Sequence, residues 1–423
     1  MNTKLNILRG TTFFIIFSFL FASCVKENVL IPAPELTYKI EDVTIEGVAL
    51  KKITGSINQS LTLKSSYQYL LSGLVFVEDS LTIEKGATFY ATTDEVTALI
   101  IKRRAKIFAS GTADEPIIFT SQNTLTGTSQ PGDWGGIHIN GAASLNSRRS
   151  GLVELIGKYG RTDMTANDLD DSGKINYLRI EYAGKDMNGE SGAFNLNGVG
   201  SSTTVTHIQV YQALSNGIRC RGGAANLKYA IATQPSGKGF RWDDGWRGFG
   251  QYWVVHFTET TTDTLTAIEG RSGTVSDLPI SAPVISNITI IGLGENAGSP
   301  QVRGIRFRNA THGKIYNSII AHCQRGVRAD YALTNINSGN LIFANNNVFN
   351  NNPNYYSSSS SVADIFETSS FNNSSNVITM DGYKGTATDN VFAISGISSW
   401  FDNVNFKGAV EMGNDWTNGW AAF

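Results

Sequence analysis

Residues 239–250 read GFRWDDGWRGFG, a concentrated group of side chains able to do chemistry. Carboxylates can serve as general acids and bases or hold a divalent cation, and exposed rings can stack on sugars. Asp243 and Asp244 are adjacent, however, and on a strand neighbours project to opposite faces, so they cannot form a catalytic pair alone. A third acid would have to arrive from elsewhere, and Glu269 is the obvious one. The rings need no such help. Candidate ligand-binding residues are therefore Trp242, Asp244, Trp246, Arg247, Phe249 and Tyr252, and no catalytic residue is assigned. Trp246 and Phe249 follow the Asp244-Gly245 turn and are expected to form an exposed pair; Trp242 either packs inward or bulges at the corner.

A second acidic run, NDLDDSGK (167–174), places Asp168, Asp170 and Ser172 at alternate positions before Gly173, like the start of a calcium loop. The glutamate that would close such a loop is replaced by Arg179, so a solvated acidic turn is the expectation. His138, His207, His256, His312 and His322 are scattered without zinc spacing. No cofactor is expected, calcium being the alternative.

The N-terminus reads as an address. Lys4 and Arg9 precede the apolar run TTFFIIFSFLFA (11–22), which ends at Ser23-Cys24 and resembles a bacterial lipoprotein signal. Phe21 stands where most such signals carry leucine. The expected organisation is a signal peptide over 1–23, an acylated Cys24 with a tether over 24–52, in which Pro32 and Pro34 disfavour regular structure, and one domain over 53–423. The expected location is the outer membrane or cell surface, held by the lipid. A formal net charge of −2 argues against nucleic acid. Charged residues make up 17%, below the roughly 25% of ordinary domains, and 43 glycines point to short strands and many turns.

Those strands form a repeat. GIRCR (217–221), GFRWD (239–243), GIRFR (304–308) and GVRAD (326–330) share one pattern, with a looser copy, AIEGR (267–271), between them. The step is about 22 residues, the length of one coil of a parallel β-helix, and the interval from 239 to 304 is close to three such steps. Alternation predicts an inward column of Ile218, Phe240, Ile268, Ile305 and Val327, and a second of Cys220, Trp242, Gly270, Phe307 and Ala329. Arg219, Arg241, Glu269, Arg306 and Arg328 then line up outward beside Arg221, Asp243, Arg271, Arg308 and Asp330. These opposite charges are expected to be exposed, each pair contributing about 0.2–1 kcal/mol. Cys220 and Cys323 fall several coils apart and read as two buried thiols rather than a bridge. NNPNYYSSSSS (351–361) reads as a low-complexity loop, and the closing aromatic segment as a cap on the last coil.

Upstream blocks carry a resemblance. LVFVEDSLTIEKGATFYA (74–91), ALIIKRRAKIFASGTADEPIIFTS (98–121), PGDWGGIHING (131–141) and INYLRIEYAG (175–184), in that order, resemble a family of exported right-handed parallel β-helix proteins common in Bacteroidota, often lipoproteins. The resemblance implies an all-β, pectin-lyase-like solenoid and no agreed activity. FRWDDGWRG stands where the family carries an acidic D-x-D-type run, which puts a shared metal or ligand role there in doubt. The expected function is non-catalytic binding of glycans or of a host or matrix surface. A polysaccharide lyase or glycoside hydrolase is the alternative, favoured by a groove with two or more coplanar acids. A structural or accessory lipoprotein of an outer-membrane complex is the third.

Overall fold

Short apolar runs interrupted by single left-handed residues produce a coil with three flat sides. The computed structural model describes residues 37–147, 155–187, 192–259, 264–294, 301–330, 332–357 and 364–423. The expected signal over 1–23 and Cys24 lie outside them. Each coil contributes parallel strands to three faces, and the coils stack in register into a parallel β-helix, wound right-handed as parallel crossovers require.

The first face contains the repeat, in strands that include Asn216–Arg221, Lys238–Asp243, Leu265–Gly270, Val302–Phe307 and Arg325–Ala329. Ile218, Phe240, Ile268, Ile305 and Val327 stack one above another, each at most 1% exposed. The expected register is the observed one. Two coils rather than three fill the interval between 239 and 304, because loops lengthen both of them. Trp242 stays in its inward column and does not bulge.

The second and third faces are halves of longer strands: Gly173–Glu181, Thr204–Tyr211, Asn226–Thr233, Phe249–His256 and Val284–Ile291. One residue bends each strand, and all five have positive φ: Tyr177, His207, Tyr229, Tyr252 and Asn287. Asparagine tolerates that region, but tyrosine and histidine there cost roughly 1–2 kcal/mol each. Their rings offset the strain by stacking: Tyr177 on His207 at 4.1 Å, His207 on Tyr229 at 4.5 Å, Tyr229 on Tyr252 at 4.8 Å.

Three expectations are corrected. The outward charge columns of the first face are buried at Arg219, Arg241, Asp243 and Glu269 and partly covered at Arg306, Arg308 and Arg328. The stretch that follows strand Gly136–Asn140 folds over them: Arg221 donates to the Tyr159 hydroxyl at 3.1 Å, and Asn146 N–H to the Asp244 carbonyl at 2.9 Å. Residues 37–52 are not an unstructured tether. Thr37–Ile45 pairs antiparallel with Val48–Ile57, which then joins the solenoid through Gln68–Leu71 and Leu74–Val77. Nor does the aromatic C-terminal segment cap the last coil. It runs back along the helix: Asn347 donates to the Asn376 carbonyl, Asn317 to that of Phe392, Gln251 to that of Asp402 and Arg179 to that of Trp420. Trp416 and Trp420 pack edge-on against His207 in the ring stack. Cys220 and Cys323 are both free and buried, as expected.

Candidate functional site

Lys238–Asp243 places the first half of GFRWDDGWRGFG on the first face, and the chain then turns at Asp244 (φ 54°) and Gly245 (φ 91°). The corner column below Asp244 holds Gly222 and Gly198, also at positive φ. This turn sends Trp246 back into the coil. Its indole N–H donates to the Ala225 carbonyl at 3.0 Å, and the ring is fully buried. Trp242 donates to Thr311 Oγ1 at 3.1 Å inside the same core. Tyr252 is the last ring of the left-handed stack, and Phe249 leans on Phe401 and Trp400 of the C-terminal segment. The expected exposed pair of Trp246 and Phe249 is therefore absent, because the corner turns these rings toward the helix and its cover.

The carboxylates are equally committed. Asp243 is fully buried, with Oδ2 at 2.6 Å from Arg219 and 3.1 Å from Arg241. Burial alone would raise its pKa, but the guanidiniums of Arg219, Arg241 and Arg221 overcome this and hold it far below the usual carboxylate range. Burial pushes Arg219 down to about 10, which still leaves it charged at neutral pH. Glu269, the candidate third acid, lies among Arg241, Arg306 and Arg308 at 4.0, 3.9 and 3.4 Å. Asp244 is also buried. Asp243 is thus a fixed charge, unlike an acid with a titratable proton.

Arg247 and Asp168, candidates from separate stretches, meet each other. Arg247 donates to Asp168 Oδ2 at 2.5 Å and to Ser144 Oγ at 2.7 Å, and Asp168 Oδ1 accepts from the Ser144 N–H and hydroxyl. Asp170 instead accepts from Ser172 Oγ at 3.3 Å, and burial raises its pKa. The run is a turn docked through Asp168, with Asn167, Leu169 and Asp171 left exposed as expected. Among the described residues, no three His, Cys, Asp or Glu side chains gather to hold a metal ion.

A partly open surface lies elsewhere, on the third face. Register places Glu181 beside Tyr211 and Arg179 beside Gln209. Tyr90, Arg179, Glu181, Tyr182 and Tyr211 are all half-buried. Arg179 Nε lies 2.6 Å from Glu181 Oε1, and the Tyr182 and Tyr211 rings meet edge to face at 5.8 Å. Gln212 donates to the Tyr211 hydroxyl at 3.2 Å. Burial, reinforced by Glu181, raises the pKa of Tyr90 and Tyr182, so both remain phenols and donors. Sequence reasoning passed over this group, although INYLRIEYAG and HIQVYQ carry its alternation.

Residues 55–421 match the pectate-lyase-like β-helix domain family. The chain belongs to that family. No curated protein and no solved structure matches it. As a pectate-lyase-like β-helix domain it has part of one side of the solenoid covered over buried charge pairs, and another side partly covered by its own C-terminal segment. Between the segment's contact with Arg179 and the N-terminal coils, the tyrosine cluster offers rings, a carboxylate and a guanidinium on a rigid sheet. Such a surface can hold a flat, hydroxylated ligand.

Proposed function

We propose that this protein is a lipid-anchored, cell-surface β-helix that binds glycan chains on its third face without covalent chemistry. The observation that carries the reading is the group of half-exposed Tyr90, Tyr182 and Tyr211 around the Arg179–Glu181 pair. Aromatic faces cover the apolar faces of sugar rings, while charged side chains take their hydroxyls. Strands already fixed by stacking lose little entropy on binding. The commitment of Asp243 and Glu269 to arginines supports binding over hydrolysis or elimination at that position. The anchoring part of the proposal rests on the run that ends at Ser23-Cys24.

A glycan array followed by calorimetric titration tests this. Tyr182→Ala and Tyr211→Ala should each weaken binding by about tenfold, roughly 1.4 kcal/mol, with circular dichroism unchanged. Binding that ignores both substitutions overturns the reading, and so does release of sugar fragments from the bound glycan.

A further inference from the structure

Two successive coils carry arginines at the same positions of the first face. Arg303 pairs in register with Arg325, and Arg306 with Arg328. Like charges one strand apart repel, whereas two coils earlier the neighbour of Arg241 is Glu269. With Arg308 there are five guanidiniums, and the ion pairs among the described residues supply them with two carboxylates. Glu269 lies 3.9 Å from Arg306 and 3.4 Å from Arg308; Asp330 lies 3.6 Å from Arg306 and 2.6 Å from Arg328. Among the described residues, neither Arg303 nor Arg325 has a carboxylate within ion-pair distance.

The cluster is held in place but not satisfied. Nε of Arg303 and of Arg306 is buried and meets no hydrogen-bond acceptor, while Nε of Arg328 rests against Asp330 Oδ2. Arg325 and Arg328 both lie against the Tyr356 ring, 4.4 and 5.1 Å from its centre. Burial, then the charges of Arg306, Arg325 and Arg328, lowers the pKa of Arg303. All four arginines keep part of their surface exposed. A buried donor without an acceptor is unfavourable, and a bound anion would offset both that cost and the repulsion.

We propose that Arg303, Arg306, Arg325 and Arg328 form a site for a tetrahedral oxyanion, a sulfate or phosphate group. Guanidiniums present paired donors that fit such groups, and four of them converging from two coils exceed what structural pairing requires. The site stands on these arginines alone. Its assignment to a sulfate ester on a polysaccharide would rest on the glycan-binding reading.

Titration of the full chain with inorganic sulfate and inorganic phosphate at constant ionic strength should show saturable binding that chloride does not reproduce. Arg303→Gln and Arg325→Gln should weaken it at least tenfold. Because each also relieves repulsion, both variants should unfold at equal or higher urea concentration than wild type when no oxyanion is present. Identical sulfate and phosphate responses in wild type and both variants overturn the site. Dextran sulfate tested against dextran separates the sources. Arg303-dependent binding of the sulfated polymer supports a polysaccharide ligand. Binding of the inorganic ions alone supports the site and rules the polymer out. Tyr182→Ala should leave the inorganic sulfate and phosphate responses unchanged, so failure of the glycan reading and failure of this site are distinguishable.

Discussion

The indole of Trp242 lies over residue 270 of the next coil so closely that a β-carbon there would stand 2.0 Å from Cζ2. Glycine at 270 is thus the complement of tryptophan at 242, and the looser repeat copy AIEGR is loose for a reason. Gly270→Ala would force a buried ring against packed neighbours. It should destabilise the fold by about 1–3 kcal/mol or more, read as a lower urea midpoint. Gly413→Ala, where nothing lies within 4 Å of the added carbon, should change the midpoint little.

Asp243 neutralises Arg219 and Arg241 at a fully buried position. Asp243→Asn leaves those guanidiniums uncompensated and should cost about 3–5 kcal/mol. The carboxyl pKa is depressed in the folded state, so its contribution is fully present above the unfolded value of about 3.9 and is lost as pH falls below it. Urea midpoints should therefore fall more steeply below pH 4 in wild type than in the variant. Parallel curves would refute this role.

His207 is the single non-tyrosine ring in the stack Tyr177–His207–Tyr229–Tyr252. Burial lowers its pKa to about 4. The unfolded chain, with an ordinary value near 6.5, then binds the proton more readily, so stability should fall as pH drops from about 6.5 toward 4. His207→Tyr keeps the stack, since tyrosine already occupies the same left-handed position above and below it. Melting temperatures at pH 7 and pH 4.5 should differ less in the variant than in wild type.

Anchoring has a direct test. Cys24→Ala should move the protein from the membrane fraction to the soluble fraction and abolish labelling by a fatty-acid analogue. Unchanged fractionation with the label retained would end the lipoprotein proposal.

Register was legible in the sequence because it depends on a repeating local pattern. Ile218, Phe240, Ile268, Ile305 and Val327 share a column for the reason that their motifs share a spelling. The burial of Cys220 followed from the same alternation. What covers each face was not legible. Arg219 and Asp243 read as surface charges of neighbouring columns, yet both are fully buried, because segments distant in the chain fold over that face. Trp246 read as an exposed ring, yet the left-handed turn at Asp244 sends it inward. Arg247 meets Asp168, and Trp420 meets His207, through contacts across many coils that no local period encodes. The sequence by itself determined which residues share a rung, since hydrogen-bonded stacking enforces that rule at every coil. Only the tertiary structure decided which outward faces remain open to a ligand, since that depends on where non-repeating segments come to rest.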